Sequence, residues 1–183
     1  MGAGYSTLII ARALELNRLE TGYKSEFITI DPYPRSFLLQ EIPGLSQLMR
    51  VPVQDIPLSE FESLQKNDFL FIDSSHVVRI GGDVNYLYLN ILPRLRPGVL
   101  IHVHDIYLPF EYPLANFSGR QRLLWTEQYM LHAFLIFNKK YEVLLSAYWL
   151  HSKYPEIFIS AFPNFDPLKH RPSSSFYMRR VEI

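Results

Sequence analysis

Cysteine is absent from the 183 residues, so the chain has neither a disulfide frame nor a thiolate metal site, which fits a reducing cytosol and a cytoplasmic location. A surplus of either charge is missing too. Eighteen basic side chains against eighteen acidic ones leave a formal net charge of zero, and no lysine or arginine block tracks a phosphate backbone, which argues against nucleic acid as a partner. No apolar run is long enough to span a bilayer, and the start lacks the basic segment and apolar core of a signal peptide. There is no internal repeat, no low-complexity tract and no sign of a second core. With 48% hydrophobic content the length suits one domain over residues 1–183.

A strand is also missing where one is expected. The chain opens with Met1-Gly2-Ala-Gly4-Tyr5-Ser6-Thr7, followed by helical spacing to a stop at Thr21-Gly22. A glycine turn feeding a Ser/Thr-capped helix places bare N–H groups and a positive helix end around a ligand, although Gly-x-Gly alone also reads as a plain turn. Such turns normally follow a buried strand, and only Met1 precedes Gly2. The expectation is a truncated or mis-started chain whose sheet lacks its first strand.

What is present is organised around Asp68-Phe-Leu-Phe-Ile-Asp73-Ser-Ser-His76 and Val99-Leu-Ile-His102-Val-His104-Asp105. Each is a short β-branched and aromatic run ending in a carboxylate with an imidazole close by, the pattern of a buried parallel strand. Residues 83–95 between them have helical spacing and stop at Pro97-Gly98. Strand, crossover helix and strand make a βαβ unit, whose right-handed crossover puts Asp73, His76, His104 and Asp105 on one sheet edge, where open α/β sheets bind ligands.

Further strands are expected over 26–30, 48–53, 141–148 and 174–181, and helices over 57–64 and 120–137; residues 152–162 read as helix or irregular, and 163–172 as a loop. The result is a doubly wound, mostly parallel α/β sheet whose last strand pairs antiparallel. Asp31, ending the second visible strand before Pro32, either meets a ribose diol or caps the Pro-rich turn. Gln54 and Asp55 either approach an adenine ring or cap a loop. Local bonding is the competing role for the other polar residues: Asp73 with loop N–H groups, His76 as a helix cap, Asp105 fixing the aromatic 106–113 loop. His102, deeper in its strand, reads as structural, Asp83 as a helix N-cap, and Trp125 and Tyr129 as packing. Aromatics are frequent in the second half, suiting pocket walls or a homodimer contact.

Gly2-Ala-Gly-Tyr-Ser-Thr7, Thr29-Ile-Asp31-Pro, Phe71-Ile-Asp73-Ser-Ser-His76, Leu95-Arg-Pro-Gly98 and His102-Val-His-Asp105-Ile, in that order, resemble the motifs of class I S-adenosylmethionine-dependent methyltransferases, a Rossmann-like family. The likeness is to a bacterial branch with metal-dependent sugar and small-molecule O-methyltransferases, and it continues through Trp125-Thr-Glu-Gln-Tyr129 and Ser175-Phe-Tyr-Met-Arg-Arg180. The resemblance implies strand order 3-2-1-4-5-7-6. It also implies S-adenosylmethionine held by Gly2, Gly4, Tyr5, Ser6 and Thr7, by Asp31 on the ribose, by Gln54 or Asp55 near the adenine, and by Asp73.

Two carboxylates at neighbouring strand ends suit Mg²⁺ or another divalent cation. The resemblance makes Asp73 and Asp105 ligands and His76 the catalytic base. His104 stands where such enzymes commonly carry a second acidic ligand, and as a softer ligand it points to Mn²⁺ or another transition ion, or to no metal. The implied reaction is O-methylation of a hydroxyl on a sugar, glycan or small polar acceptor. The second reading is a non-catalytic cofactor-binding or assembly module of the same fold.

Overall fold

The structure is a computed structural model that describes residues 1–118, 122–166, 169–170 and 173–182. The chain divides into two compact units, Met1–Pro57 and Leu58–Ile183.

The first unit holds α1 (Tyr5–Thr21), β1 (Ile28–Ile30) and β2 (Gln47–Met49), with 3₁₀ turns at Ser36–Leu38 and Val53–Asp55. Gly4 has no side chain with which to cap α1, so Thr7 reaches back and its Oγ1 accepts the Gly4 N–H at 3.3 Å. The helix ends at Gly22, whose φ of 74° is the left-handed conformation that glycine adopts at little cost. Fully buried Ala11 faces the loop before β2. There Gly44, at φ +89°, lies so close that a Cβ would meet the Ala11 carbonyl oxygen at 2.1 Å.

β1 and β2 run parallel, Ile28 opposite Gln47 and Ile30 opposite Met49. The strand expected over 48–53 is thus shorter and begins one residue earlier. Pro52 has no N–H for a ladder, and the following 3₁₀ turn buries Val53 while Ile56 is buried just after it.

The second unit begins with α2 (Leu58–Glu62), β3 (Phe69–Ile72) and α3 (Asp83–Tyr86), which runs on through a π turn at Leu87–Ile91 and a 3₁₀ turn at Leu92–Arg94. Then come β4 (Leu100–Val103), α4 (Leu114–Phe117), α5 (Glu127–Leu135), β5 (Tyr141–Ser146), α6 (Ala147–Lys153), α7 (Pro155–Ala161) and β6 (Phe176–Arg180). β3 and β4 pair in parallel, Phe69 opposite Leu100 and Ile72 opposite Val103. β6 inserts between β4 and β5, antiparallel to both, giving the order β3-β4-β6-β5. Two ladders of the chain are therefore parallel and two antiparallel.

Ile72, Val84, Leu87, Ile91, Ile101 and Val103 are fully buried, each contributing roughly 1.5–3 kcal/mol of apolar transfer. Three of the four β4 residues are buried, which is why its sequence shows no clean alternation.

Three expectations are corrected. The helix read over 120–137 starts only at Glu127; residues 120 and 121 lie outside the described residues. Its leading backbone is committed elsewhere, since the Leu123 N–H donates to the Asn116 carbonyl and the Thr126 and Glu127 N–H groups to the His76 carbonyl. The strand read over 141–148 stops at Ser146, whose Oγ accepts the Trp149 N–H and so starts α6. Residues 152–162 hold the end of α6 and the whole of α7, which Pro155 opens. Of the 163–172 loop, residues 167, 168, 171 and 172 lie outside the described residues. Among the described residues no helix is long and apolar enough to cross a membrane.

Candidate active site

The ends of β3 and β4 carry the densest group of titratable side chains in the second unit. Beyond Ile72 the chain leaves its ladder through Asp73, Ser74 and Ser75. The Ser74 Oγ accepts the His76 N–H at 2.9 Å, a local serine turn that swings His76 back over the strand end. Ser75 is fixed by Asp83, whose two oxygens accept from its N–H at 2.7 Å and its hydroxyl at 2.6 Å. The N-cap of α3 is Gly82, so Asp83 anchors this loop rather than capping the helix.

On the neighbouring strand the His104 N–H closes the ladder on the Ile72 carbonyl at 2.8 Å. Asp105 follows, and its Oδ1 accepts from the Ser174 hydroxyl at 2.8 Å. His76 and Asp105 both have left-handed backbones, φ 60° and 58°. Each costs roughly 1–2 kcal/mol for a residue with a Cβ, and such strain concentrates at functional positions.

The buried imidazole of His76 is where these loops meet. Nε2 lies 3.4 Å from Asp73 Oδ1 and 3.6 Å from Asp105 Oδ2, while Nδ1 lies 2.8 Å from Glu127 Oε2. Glu127 is fully buried and also accepts from the Ser74 hydroxyl at 2.7 Å and the Tyr88 hydroxyl at 3.2 Å. Trp125 packs on the imidazole with ring centroids 4.6 Å apart. Burial works against a charged His76, but its bonds to Asp73 and Glu127 and the nearby Asp105 outweigh that, and its pKa is raised to about 10. Burial likewise opposes ionisation of Asp73, yet the hydrogen bond to His76 wins and holds its carboxyl below the ordinary value.

Donor atoms of Asp73, His76 and Asp105 lie within 4.8 Å of one another and could hold a metal ion. Two carboxylate oxygens and one imidazole nitrogen suit a small divalent cation, and the Nδ1–Glu127 contact is the outer-shell partner that metal-ligating histidines usually have. The set that converges thus has His76 where the sequence reading had His104. His104 Nε2 stands 3.9 Å from Asp105 Oδ1, and its ring lies beside His102 with centroids 5.6 Å apart. His102 is buried among Phe71, His104 and Tyr177, and desolvation together with His104 depresses it to about 4.

In the first unit the Gly2 N–H (φ 81°) donates to the Ile30 carbonyl at 3.1 Å. The Ala3 N–H donates to Asp31 Oδ2 and the Tyr33 N–H to Asp31 Oδ1, each at 2.7 Å. Asp31 therefore caps the Pro-rich turn and ties it to the glycine turn, and each oxygen keeps a lone pair that a ribose hydroxyl could use. Nothing stands within 4 Å of a Cβ built on Gly4, which leaves the space that a cofactor beside the turn requires. Tyr5 stacks on Phe37 with centroids 5.2 Å apart. Ser6 lies in the first turn of α1, and Thr7 is buried there. Gln54 and Asp55 sit in the 3₁₀ turn, beyond β2 rather than at a strand end.

Sequence reasoning missed Glu127, Ser174 and the packing of Trp125 on His76. One signal was legible: Glu127-Gln128 occupies the step between Leu124 and Leu131, where helical spacing calls for an apolar side chain. Gln128 is buried as well, its Oε1 accepting the Tyr107 N–H at 2.7 Å and its Nε2 donating to the Phe110 carbonyl at 3.0 Å. These two adjacent residues thereby hold the loops that follow both β3 and β4.

The family model of a methyltransferase domain matches residues 1–106, from the glycine turn to just past Asp105. The chain belongs to this family, that of class I S-adenosylmethionine-dependent methyltransferases. It is also similar to an uncharacterised protein of Archaeoglobus fulgidus, 38% identical over 69 residues, which are 37% of this chain and 30% of that protein. The chain thus spans under a third of that relative's length. No solved structure matches the chain. Glu127 and Ser174, which hold His76 and Asp105, lie beyond the matched residues.

Proposed function

We propose that this protein, acting in the cytoplasm as one methyltransferase domain, moves the methyl group of S-adenosylmethionine to a hydroxyl of a sugar, glycan or small polar metabolite. The glycine turn with Tyr5, Ser6 and Thr7 receives the amino acid end of the cofactor, Asp31 its ribose, Gln54 or Asp55 the adenine side, and Asp73 borders it. Asp73 and Asp105 hold a divalent cation, with His76 or His104 completing the set. When bound, such a cation makes an acceptor hydroxyl more acidic.

His76 does the proton work. With Nδ1 fixed on Glu127, only Nε2 faces Asp73 and Asp105, so an acceptor proton can arrive at Nε2 alone. The acceptor oxygen forms its bond to the methyl carbon as the sulfonium bond breaks, and the hydroxyl proton goes to Nε2. The imidazole can accept it only after losing the proton that Asp73 and Asp105 stabilise, which follows once those oxygens are engaged by other partners.

The observation that carries this reading is the convergence of Asp73, His76 and Asp105 on one imidazole edge in a chain of this family. Calorimetric titration with S-adenosylmethionine and its demethylated product, followed by transfer of labelled methyl with and without Mg²⁺, tests it. Binding at micromolar concentration and chelator-sensitive transfer are expected. Binding without transfer to any hydroxyl acceptor favours the non-catalytic module, and no binding sinks both.

A further inference from the structure

A cavity of about 400 Å³ opens beside Asp105 in the second unit, bounded also by His104, Tyr107, Trp125, Asn116 and residues 173–175, all serine. Two of its polar atoms are buried and have no partner among the described residues, Asn116 Nδ2 and His104 Nδ1. The backbone of Asn116 is fully used, its N–H donating to the Pro113 carbonyl at 2.8 Å and its carbonyl accepting the Leu123 N–H at 2.7 Å. The residue is therefore pinned while its amide is left without an acceptor. A buried donor without a partner costs roughly 1–3 kcal/mol, a cost that a ligand oxygen in the cavity removes.

The lining also sorts ligands by charge. It contains the carboxyl group of Asp105 and, among the described residues, no lysine or arginine. An anionic ligand here would be desolvated beside a carboxylate with no cation of the protein to pair with it, which is strongly unfavourable. Serine hydroxyls and an amide instead offer the mixed donors and acceptors that alcohol groups need. Trp125 and Tyr107 supply aromatic faces, and the volume holds one or two six-membered rings, within the range of small-molecule pockets.

We infer that this cavity is the acceptor subsite, that it takes an uncharged polyhydroxylated ring of pyranose size, and that Asn116 selects such a ring by donating its Nδ2–H to a ring or hydroxyl oxygen. The inference rests on the methyl transfer reading for the word acceptor, and on the cavity alone for the ligand class. Asn116 touches the ligand but not the reacting atoms; His76 and Asp105 lie on the reacting side.

Binding separates the two claims, because it needs no turnover. Neutral methyl pyranosides are titrated against their 6-phosphates and the corresponding uronates, followed calorimetrically and by the ¹⁵N side-chain amide resonance of Asn116. Expected are millimolar or tighter binding of a neutral glycoside, a shift of that resonance, and at least tenfold weaker binding of its anionic counterparts. Asn116→Ala should weaken the neutral probe about tenfold while S-adenosylmethionine binding stays within twofold, which also certifies the fold. Neutral binding without methyl transfer upholds the subsite and fails the transferase reading. Preference for anionic probes, an unmoved Asn116 resonance, equal affinity in Asn116→Ala, or no binding of any probe overturns the inference.

Discussion

His76 and Glu127 are bound to each other twice: the Glu127 N–H donates to the His76 carbonyl at 3.1 Å, and the Glu127 carboxyl group holds His76 Nδ1 at 2.8 Å. The Thr126 N–H joins on the same carbonyl at 2.8 Å, and the Thr126 hydroxyl accepts the Val78 N–H at 2.7 Å. The loop after β3 and the start of α5 thus form one clamp, which fixes the imidazole in height, rotation and exposed nitrogen.

Glu127→Ala removes the partner of three groups at once, the His76 ring, the Ser74 hydroxyl and the Tyr88 hydroxyl. Leaving buried polar groups unpaired predicts a loss of about 2–4 kcal/mol in urea unfolding. Glu127→Gln keeps the volume and part of the bonding. It should retain most of the stability yet lower methyl transfer about 10- to 100-fold, the usual cost of an outer-shell partner.

Stability should bend with pH in two windows. His102 has a folded pKa near 4, below its unfolded value of 6.5. The unfolded chain therefore binds the extra proton, and stability present above pH 6.5 is lost as pH falls toward 4. His76 has the opposite sign: raised to about 10 from 6.5, it contributes stability that is full below pH 6.5 and is lost as pH climbs through 10. Denaturant midpoints across pH 4–10 check this, with His102→Phe flattening the acid limb and His76→Gln the alkaline one.

The strands were legible because burial acts on composition directly: Phe69–Ile72 and Leu100–Val103 are apolar runs cut off by a carboxylate. Thr21-Gly22 stopped α1 because only a left-handed residue satisfies the Arg18 carbonyl there. The clamp was not legible. His76 and Glu127 are 51 residues apart, and helical periodicity over 120–137 made 123–126 look like the first turn of a helix. In the structure the backbone of that stretch bonds to Asn116 and His76 instead. Tertiary partners outbid local spacing, as they commonly do at helix starts.

Gly44→Ala should destabilise the first unit. It places a methyl group 2.1 Å from the Ala11 carbonyl oxygen, at a φ of +89° that alanine disfavours. Both penalties act together, and about 2 kcal/mol or more of lost stability is expected. A lowered chemical-denaturation midpoint measured on the full chain checks it.

Divalent cation binding should follow the two carboxylates. Titration of Mn²⁺ followed by electron paramagnetic resonance should give one ion per chain, with Asp105→Asn weakening it at least tenfold, since an amide is a poorer ligand than a carboxylate. His104→Gln separates the two candidate nitrogen ligands. Unchanged affinity assigns the third position to His76, whose Nε2 lies nearer Asp105 than that of His104 does.

The most direct measurement pairs cofactor binding with transfer in His76→Gln, with methyl pyranosides as acceptors. S-adenosylmethionine affinity within twofold of the parent chain, with labelled methyl transfer reduced at least 100-fold, is the predicted result. Transfer at the parental rate in this variant would contradict a site built on His76.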